Sequence, residues 1–122
     1  MQERHAGHRL KIMVRGRLLA RADSRDRDAA FYFAVLTYAL FSVLDVMTTV
    51  SALGEGLRER NAFGASLYDA YGAAGLWAVK GIVVSLIVGV LLAMPRRIAV
   101  WVGTAFAASA ALAVIGNLHA LG

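Results

Sequence analysis

Two ionisable residues, Asp45 and Lys80, lie inside apolar stretches that are each long enough to cross a lipid bilayer. A charged side chain near the centre of a spanning helix costs about 2.5–3.5 kcal/mol on insertion scales. The cost falls if the two opposite charges face each other, because each then supplies the counter-charge of the other. The chemistry that these residues offer is therefore either a structural ion pair or a site for an ion or a proton.

Further polar residues lie toward the same membrane surface. Thr48 and Thr49 follow Asp45 on the first span, and Asn117 lies on the last span. At 1.5 Å per residue, Asp45 and Lys80 are each displaced about 4.5 Å from the middle of their spans toward the same membrane surface. We predict one polar cluster there. A structural pair is favoured over an outward-opening proton, ion or headgroup site, because one carboxylate without further acids makes a poor proton relay.

Three apolar stretches, residues 31–53, 72–94 and 98–121, must position this cluster. A soluble helical bundle is the alternative, but its helices would need polar faces, and the last stretch contains no Asp, Glu, Lys or Arg. With 59% hydrophobic residues, the chain is predicted to be an all-α integral membrane bundle of three transmembrane helices. Residues 31–122 form this domain, and residues 1–30 form a basic cytoplasmic or interfacial segment.

The basic residues predict the orientation. Most of the 13 Lys and Arg residues precede the first span or, as Arg96 and Arg97, link the second to the third. Both regions should be cytoplasmic, in the inner or plasma membrane of the cell. Residues 9–21 predict an interfacial helix that binds anionic lipid headgroups, and the charged residues 22–28 predict a polar hinge with Ser24 or Asp28 as N-cap. The net charge of +5 reflects this topology and does not indicate nucleic-acid binding.

Small residues repeat at a spacing of four on the second and third spans. They place small side chains on one face of each helix, where another helix can approach closely. Whether these contacts form within one chain or between copies is left open. Because three short helices bury little surface, we expect a homo-oligomer or a larger membrane complex. The residues concerned are Gly81, Ser85 and Gly89 on the second span, and Gly103 and Ala107 on the third.

Catalytic, metal and cofactor sites are not predicted. The histidines, His5, His8 and His119, lack the helix spacing of a metal site, and the chain has no cysteine. The glycine-rich stretches do not match a phosphate-binding loop. No catalytic residue and no cofactor is assigned, and we expect the protein not to be an enzyme.

Several of these residues resemble the motifs of a known family. The sequence LDVMTT over residues 44–49, GLRERN over 56–61, Lys80 in the next span and Asn117 in the last are similar to an uncharacterised family of small prokaryotic membrane proteins of unknown function. The likeness covers about residues 31–121, with Ala62 where the family pattern has Pro. It implies a multi-pass membrane fold and no known activity. It also marks a shared polar set: Asp45, Thr49, Glu59, Asn61 and Lys80.

The loop residues Glu59 and Asn61 have a physical interpretation of their own. Residues 62–71 can form a short interfacial helix with Asn61 as N-cap, folded over the polar cluster. Glu59 would then reach Lys80; the alternative is a solvated loop.

The sequence thus predicts a small membrane protein that acts as a non-enzymatic structural or accessory component of a membrane assembly. The alternative is a small transporter, or an ion or proton channel subunit, that uses the intramembrane Asp/Lys cluster.

Overall fold

The computed structural model describes residues 2–56 and 62–122, which fold into long α-helices. Helix α1 covers Gln2–Gly54, α2 covers Ala62–Ala93 and α3 covers Arg96–Leu121. All 3 are long and apolar enough to cross a membrane, and the described ranges contain no β-strand. The predicted all-α fold is confirmed.

Helix α1 is continuous through the charged residues 22–28, so the predicted polar hinge is wrong. Asp23 and Arg27 form an ion pair along the helix at i,i+4 spacing, which supports helical structure. The Ser24 hydroxyl donates to the backbone oxygen of Arg21 at 2.9 Å and does not cap a helix start. Residues 2–30 therefore continue the helix for about 44 Å beyond the first apolar stretch.

Helix α2 is divided by a sharp kink at Gly72, whose φ of 66° and ψ of −158° suit only glycine. The kink separates a short segment, residues 62–71, from a long segment, residues 73–93. The turn is tight at Gly75, where an added Cβ would lie 2.7 Å from the Cβ of Tyr71. The short helix predicted over residues 62–71 is present, whereas its predicted cap, Asn61, lies outside the described residues.

Helices α1 and α3 form the main packed pair of the bundle. Their small side chains bring the backbones together: a Cβ added at Gly103 would lie 3.5 Å from the Cβ of Ala34. Buried residues recur every three or four positions on both helices, which is the spacing of one helical face. These residues are Phe31, Ala34, Tyr38, Ser42 and Val46 on α1, and Ala99, Gly103, Ala107, Ala110 and Val114 on α3.

Helix α2 packs more lightly against this pair. Among its described residues it buries Gly64 and Leu91, and Leu91 joins a core cluster with residues of α1 and α3. The small residues Gly81, Ser85 and Gly89 are exposed. Of the small residues singled out by spacing, those of α3 therefore lie in the contact within the chain, and those of α2 lie outside it.

Candidate functional site

Asp45 on α1 and Lys80 on α2 form an ion pair between the helices. The Lys80 ammonium donates to Asp45 Oδ2 at 2.8 Å, and the side chains are 20% exposed for Asp45 and 30% for Lys80. Apolar stretches surround both residues, so the pair forms in a low-dielectric region with partial access from outside the protein. Their equal displacement along the two spans predicts this contact, because it places the charges at one depth.

Asn117 connects the third helix to the same carboxylate. Its Nδ2 donates to Asp45 Oδ1 at 3.0 Å. The two N–H groups of this amide also reach Thr49 Oγ1 at 2.9 Å and Thr48 Oγ1 at 3.0 Å, with the Asp45 backbone oxygen at 3.4 Å. Each Asp45 carboxylate oxygen thus has a partner on a different helix. We call Asp45, Thr48, Thr49, Lys80 and Asn117 the polar cluster.

The two threonines of the polar cluster bond differently. The Thr48 hydroxyl donates to the backbone oxygen of Leu44 at 2.9 Å, one turn earlier on α1. Its proton is therefore donated within the helix, and its oxygen accepts a hydrogen bond from Asn117. Thr49 Oγ1 also accepts from Asn117, and no acceptor for its proton lies among the described residues.

Ser42 lies one helical turn before Asp45 and is fully buried, with 1% of its surface exposed. Its hydroxyl has no hydrogen-bond partner in the described part of the chain. A buried hydroxyl of this kind destabilises the folded state, because it loses its bonds to water without replacement.

A cavity of about 420 Å³ lies beside the polar cluster. Asp45, Thr49, Lys80 and Asn117 form its polar side. Its apolar walls come from all three helices, and the short segment of α2 covers one side. These wall residues include Val46, Phe63, Leu67, Leu76, Val79 and Val83.

A second polar contact joins α1 to the start of α3. Arg96 Nε lies 3.3 Å from Asp28 Oδ1, and the guanidinium is 4.0 Å from the centre of the buried Phe31 ring. Asp28 therefore pairs with Arg96 and does not cap the first span. This contact was not predicted from the sequence, although a basic residue and an aromatic residue at adjoining span ends indicate it. The contact places the two basic regions at one end of the bundle.

Other predicted site residues are not brought into the polar cluster. Glu59 and Asn61 lie outside the described residues, so the contact of Glu59 with Lys80 stays a prediction. Gly103 and Ala107 belong to the α1/α3 contact, and Gly81 lies exposed on α2. Within residues 2–56 and 62–122, no three His, Asp or Glu side chains come together as ligands for a metal ion.

Chemically, the polar cluster can do two things. It holds three helices in one register, since a shift of any helix would break a charged hydrogen bond. It also presents hydrogen-bonding groups to an otherwise apolar cavity.

The chain was compared with protein families, curated proteins and solved structures. No curated protein and no solved structure matches it. A family model described as a domain of unknown function, DUF5658, matches residues 34–121, which include most of the first apolar stretch, the whole of the other two and the whole polar cluster. This match covers more than half of the chain and agrees with the expected uncharacterised family. The chain therefore belongs to the DUF5658 family.

Proposed function

We propose that the protein is a non-enzymatic structural or accessory component of a membrane assembly. The observation that carries this proposal is the full engagement of Asp45, whose two carboxylate oxygens accept from Lys80 and Asn117 on the other two helices. Charges that neutralise each other inside the protein fix helix positions, whereas a carboxylate used for transport must be released in each cycle. The polar cluster thus favours a structural role.

The exposed face of α2 supports a partner in the membrane. Gly81 and Gly89 have open space around their Cα atoms among the described residues, and Ser85 between them is exposed. On α3, equivalent small residues contact α1. Since small residues permit close helix approach in lipid, we assign the α2 face to a second copy of the chain or to another membrane protein.

The test is a pair of bulky substitutions. Gly89→Leu on the α2 face should leave the fold intact and abolish the oligomer or the co-purifying partner. Ala108→Leu, at an exposed position of α3, is the control and should preserve both. The measurement is the mass of the complex in mild detergent and in nanodiscs, together with the recovered proteins. A strictly monomeric wild-type protein without a partner would contradict the proposal.

A second candidate function is a small transporter or an ion or proton channel subunit. The cavity favours it, because it reaches the partly exposed side chains of Asp45 and Lys80. Proton and cation flux into proteoliposomes tests this candidate. Flux that is present in the wild type and absent in Asp45→Asn would support the transport function and contradict the accessory role.

We further propose that the N-terminus is cytoplasmic and that the protein lies in the cell membrane, with the part of residues 1–30 nearest the membrane contacting anionic headgroups. The Asp28 and Arg96 contact supports this, because it groups both basic regions at one end, as the positive-inside rule requires. The chain has no cysteine, so a thiol reagent labels only a cysteine that is introduced by substitution. Ser66→Cys should react with an impermeant maleimide added outside, and Ser24→Cys should not; the reverse pattern would invert the topology.

A further inference from the structure

The cavity beside the polar cluster has the features of a small-molecule site. Its volume of about 420 Å³ falls within the range of known ligand pockets. Such pockets have mostly apolar walls and a few converging polar groups that orient the ligand. Here Leu67, Leu76 and Val83 contribute to the apolar walls, and Thr49 and Lys80 contribute polar groups. A structural role for the polar cluster does not require this space.

Among the described residues, the polar groups at the cavity that lack a partner are mainly hydrogen-bond donors. In the described part of the chain, the Lys80 ammonium bonds to Asp45 alone, which engages one of its three N–H groups. The Thr49 oxygen accepts from Asn117, and its own proton has no acceptor among residues 2–56 and 62–122. A ligand that satisfies both groups must carry an oxygen that accepts hydrogen bonds.

The charges of the site select an uncharged ligand. Lys80 Nζ lies 2.8 Å from Asp45 Oδ2, so the two charges neutralise each other. An anion bonded to Lys80 would lie close to the Asp45 carboxylate, and a cation near Asp45 would lie close to the Lys80 ammonium. In a low-dielectric cavity, either ligand would suffer like-charge repulsion and leave one charge uncompensated.

We propose that this cavity binds an uncharged single-chain amphiphile. Its hydroxyl, ester or ketone oxygen accepts hydrogen bonds from Lys80 and Thr49, and its hydrocarbon chain lies along the apolar walls. The inference does not depend on the accessory role proposed above, because it concerns the cavity and not the exposed face of α2.

Photolabelling of the full chain in phosphatidylcholine nanodiscs tests this binding site. The three probes are a long-chain alcohol carrying a diazirine, and the carboxylic acid and primary amine of the same chain, all at neutral pH. The alcohol should label peptides that contain residues 63–67 and 76–83 at least about tenfold more than either charged probe, since like-charge contacts strongly disfavour the wrong ligand.

Matched variants separate the cavity from the lipid-facing surface. Ala113→Phe places a ring in the cavity and should reduce this labelling by about tenfold, whereas Leu112→Phe, at an adjacent exposed position, should not change it. Thr49→Val removes the hydroxyl that would donate to the ligand, at nearly constant shape, and should reduce labelling by about threefold. If Ala113→Phe does not fold, Val83→Phe fills the same cavity.

Three results would overturn the inference. Equal labelling by the three probes would indicate general partitioning at the lipid surface. Stronger labelling by the carboxylic acid would indicate an anion site on Lys80. Labelling that is insensitive to cavity-filling substitutions would place the bound alcohol elsewhere on the protein.

Discussion

Removal of one charge from the Asp45 and Lys80 pair should destabilise the protein, and removal of both should cost little more than either single change. Asp45→Asn keeps an oxygen that can accept from Asn117 but leaves the Lys80 ammonium without a counter-charge. Lys80→Met leaves the Asp45 carboxylate with Asn117 as its remaining inter-helix donor among the described residues. Each variant thus places one unpaired charge in an apolar region.

The magnitude follows from the geometry of the pair. Breaking a fully buried ion pair costs about 3–5 kcal/mol, because the remaining charge is uncompensated. Asp45 is 20% and Lys80 30% exposed, so the remaining charge is partly solvated. We therefore expect each single variant to lose about 2 kcal/mol of unfolding free energy. The double variant has no unpaired charge and should also lose about 2 kcal/mol, which gives a coupling energy of about 2 kcal/mol.

Thermal or denaturant unfolding in a single detergent measures this cycle. The control pairs Asp45→Asn with Thr104→Val on α3, whose hydroxyl bonds to the backbone of its own helix at the Val100 oxygen. Thr104 lies about 20 Å along the helix from Asn117, so the two effects should add. If the Asp45 and Lys80 effects also add, the two residues are not energetically paired, and ion binding at Asp45 becomes the better explanation for their presence.

Four further predictions test individual contacts through the free energy of unfolding. Asn117→Leu removes the hydrogen bonds of the amide and should lower the free energy of unfolding by about 1–3 kcal/mol. Asn117→Asp also places a second carboxylate against Asp45 and should lower it further, so equal losses for the two variants would contradict the contact. Gly103→Leu should separate α3 from α1 and destabilise by about 1–3 kcal/mol, whereas Gly103→Ala meets only ordinary contact distances and should be tolerated. Gly72→Ala should lower the free energy of unfolding by about 1–3 kcal/mol, because residue 72 has a positive φ. Gly89→Ala, in regular helix, is the control and should not lower it. An unchanged stability of Gly72→Ala would argue against the kink. Ser42→Ala removes a buried hydroxyl without a described partner and should be neutral or stabilising by up to about 1 kcal/mol, so a clear loss of stability would reveal a partner for Ser42.

The fold was accessible from sequence because hydropathy is a local property. A run of apolar residues long enough to span the hydrocarbon core specifies a transmembrane helix with little reference to the rest of the chain. The break before the second span was also predictable, since the apolar stretch begins at Gly72. Residues 22–28 were misassigned because their charges suggested a loop. The i,i+4 pair of Asp23 and Arg27 supports helical structure there, in spite of the low helix propensity of the Asp and Ser residues.

Only part of the candidate site could be predicted from the sequence. Depth along a helix follows from residue number, so the sequence placed Asp45, Lys80 and Asn117 toward one membrane surface and identified the opposite charges as partners. Rotation about the helix axis depends on how neighbouring helices pack, and small shifts decide which side chains meet. The convergence of Asn117 on both threonines and on Asp45 is a result of that packing.

The sequence by itself determined that the chain has apolar helices of membrane-spanning length and that opposite charges lie inside two of them at equal depth. These features depend on residue type and on a fixed rise of 1.5 Å per residue. Only the tertiary structure decided which small-residue face is used within the chain, that Arg96 lies over Phe31, and that a cavity adjoins the polar cluster. Those features arise where side chains from distant parts of the chain fill, or fail to fill, the space between helices, and local pattern does not encode that space.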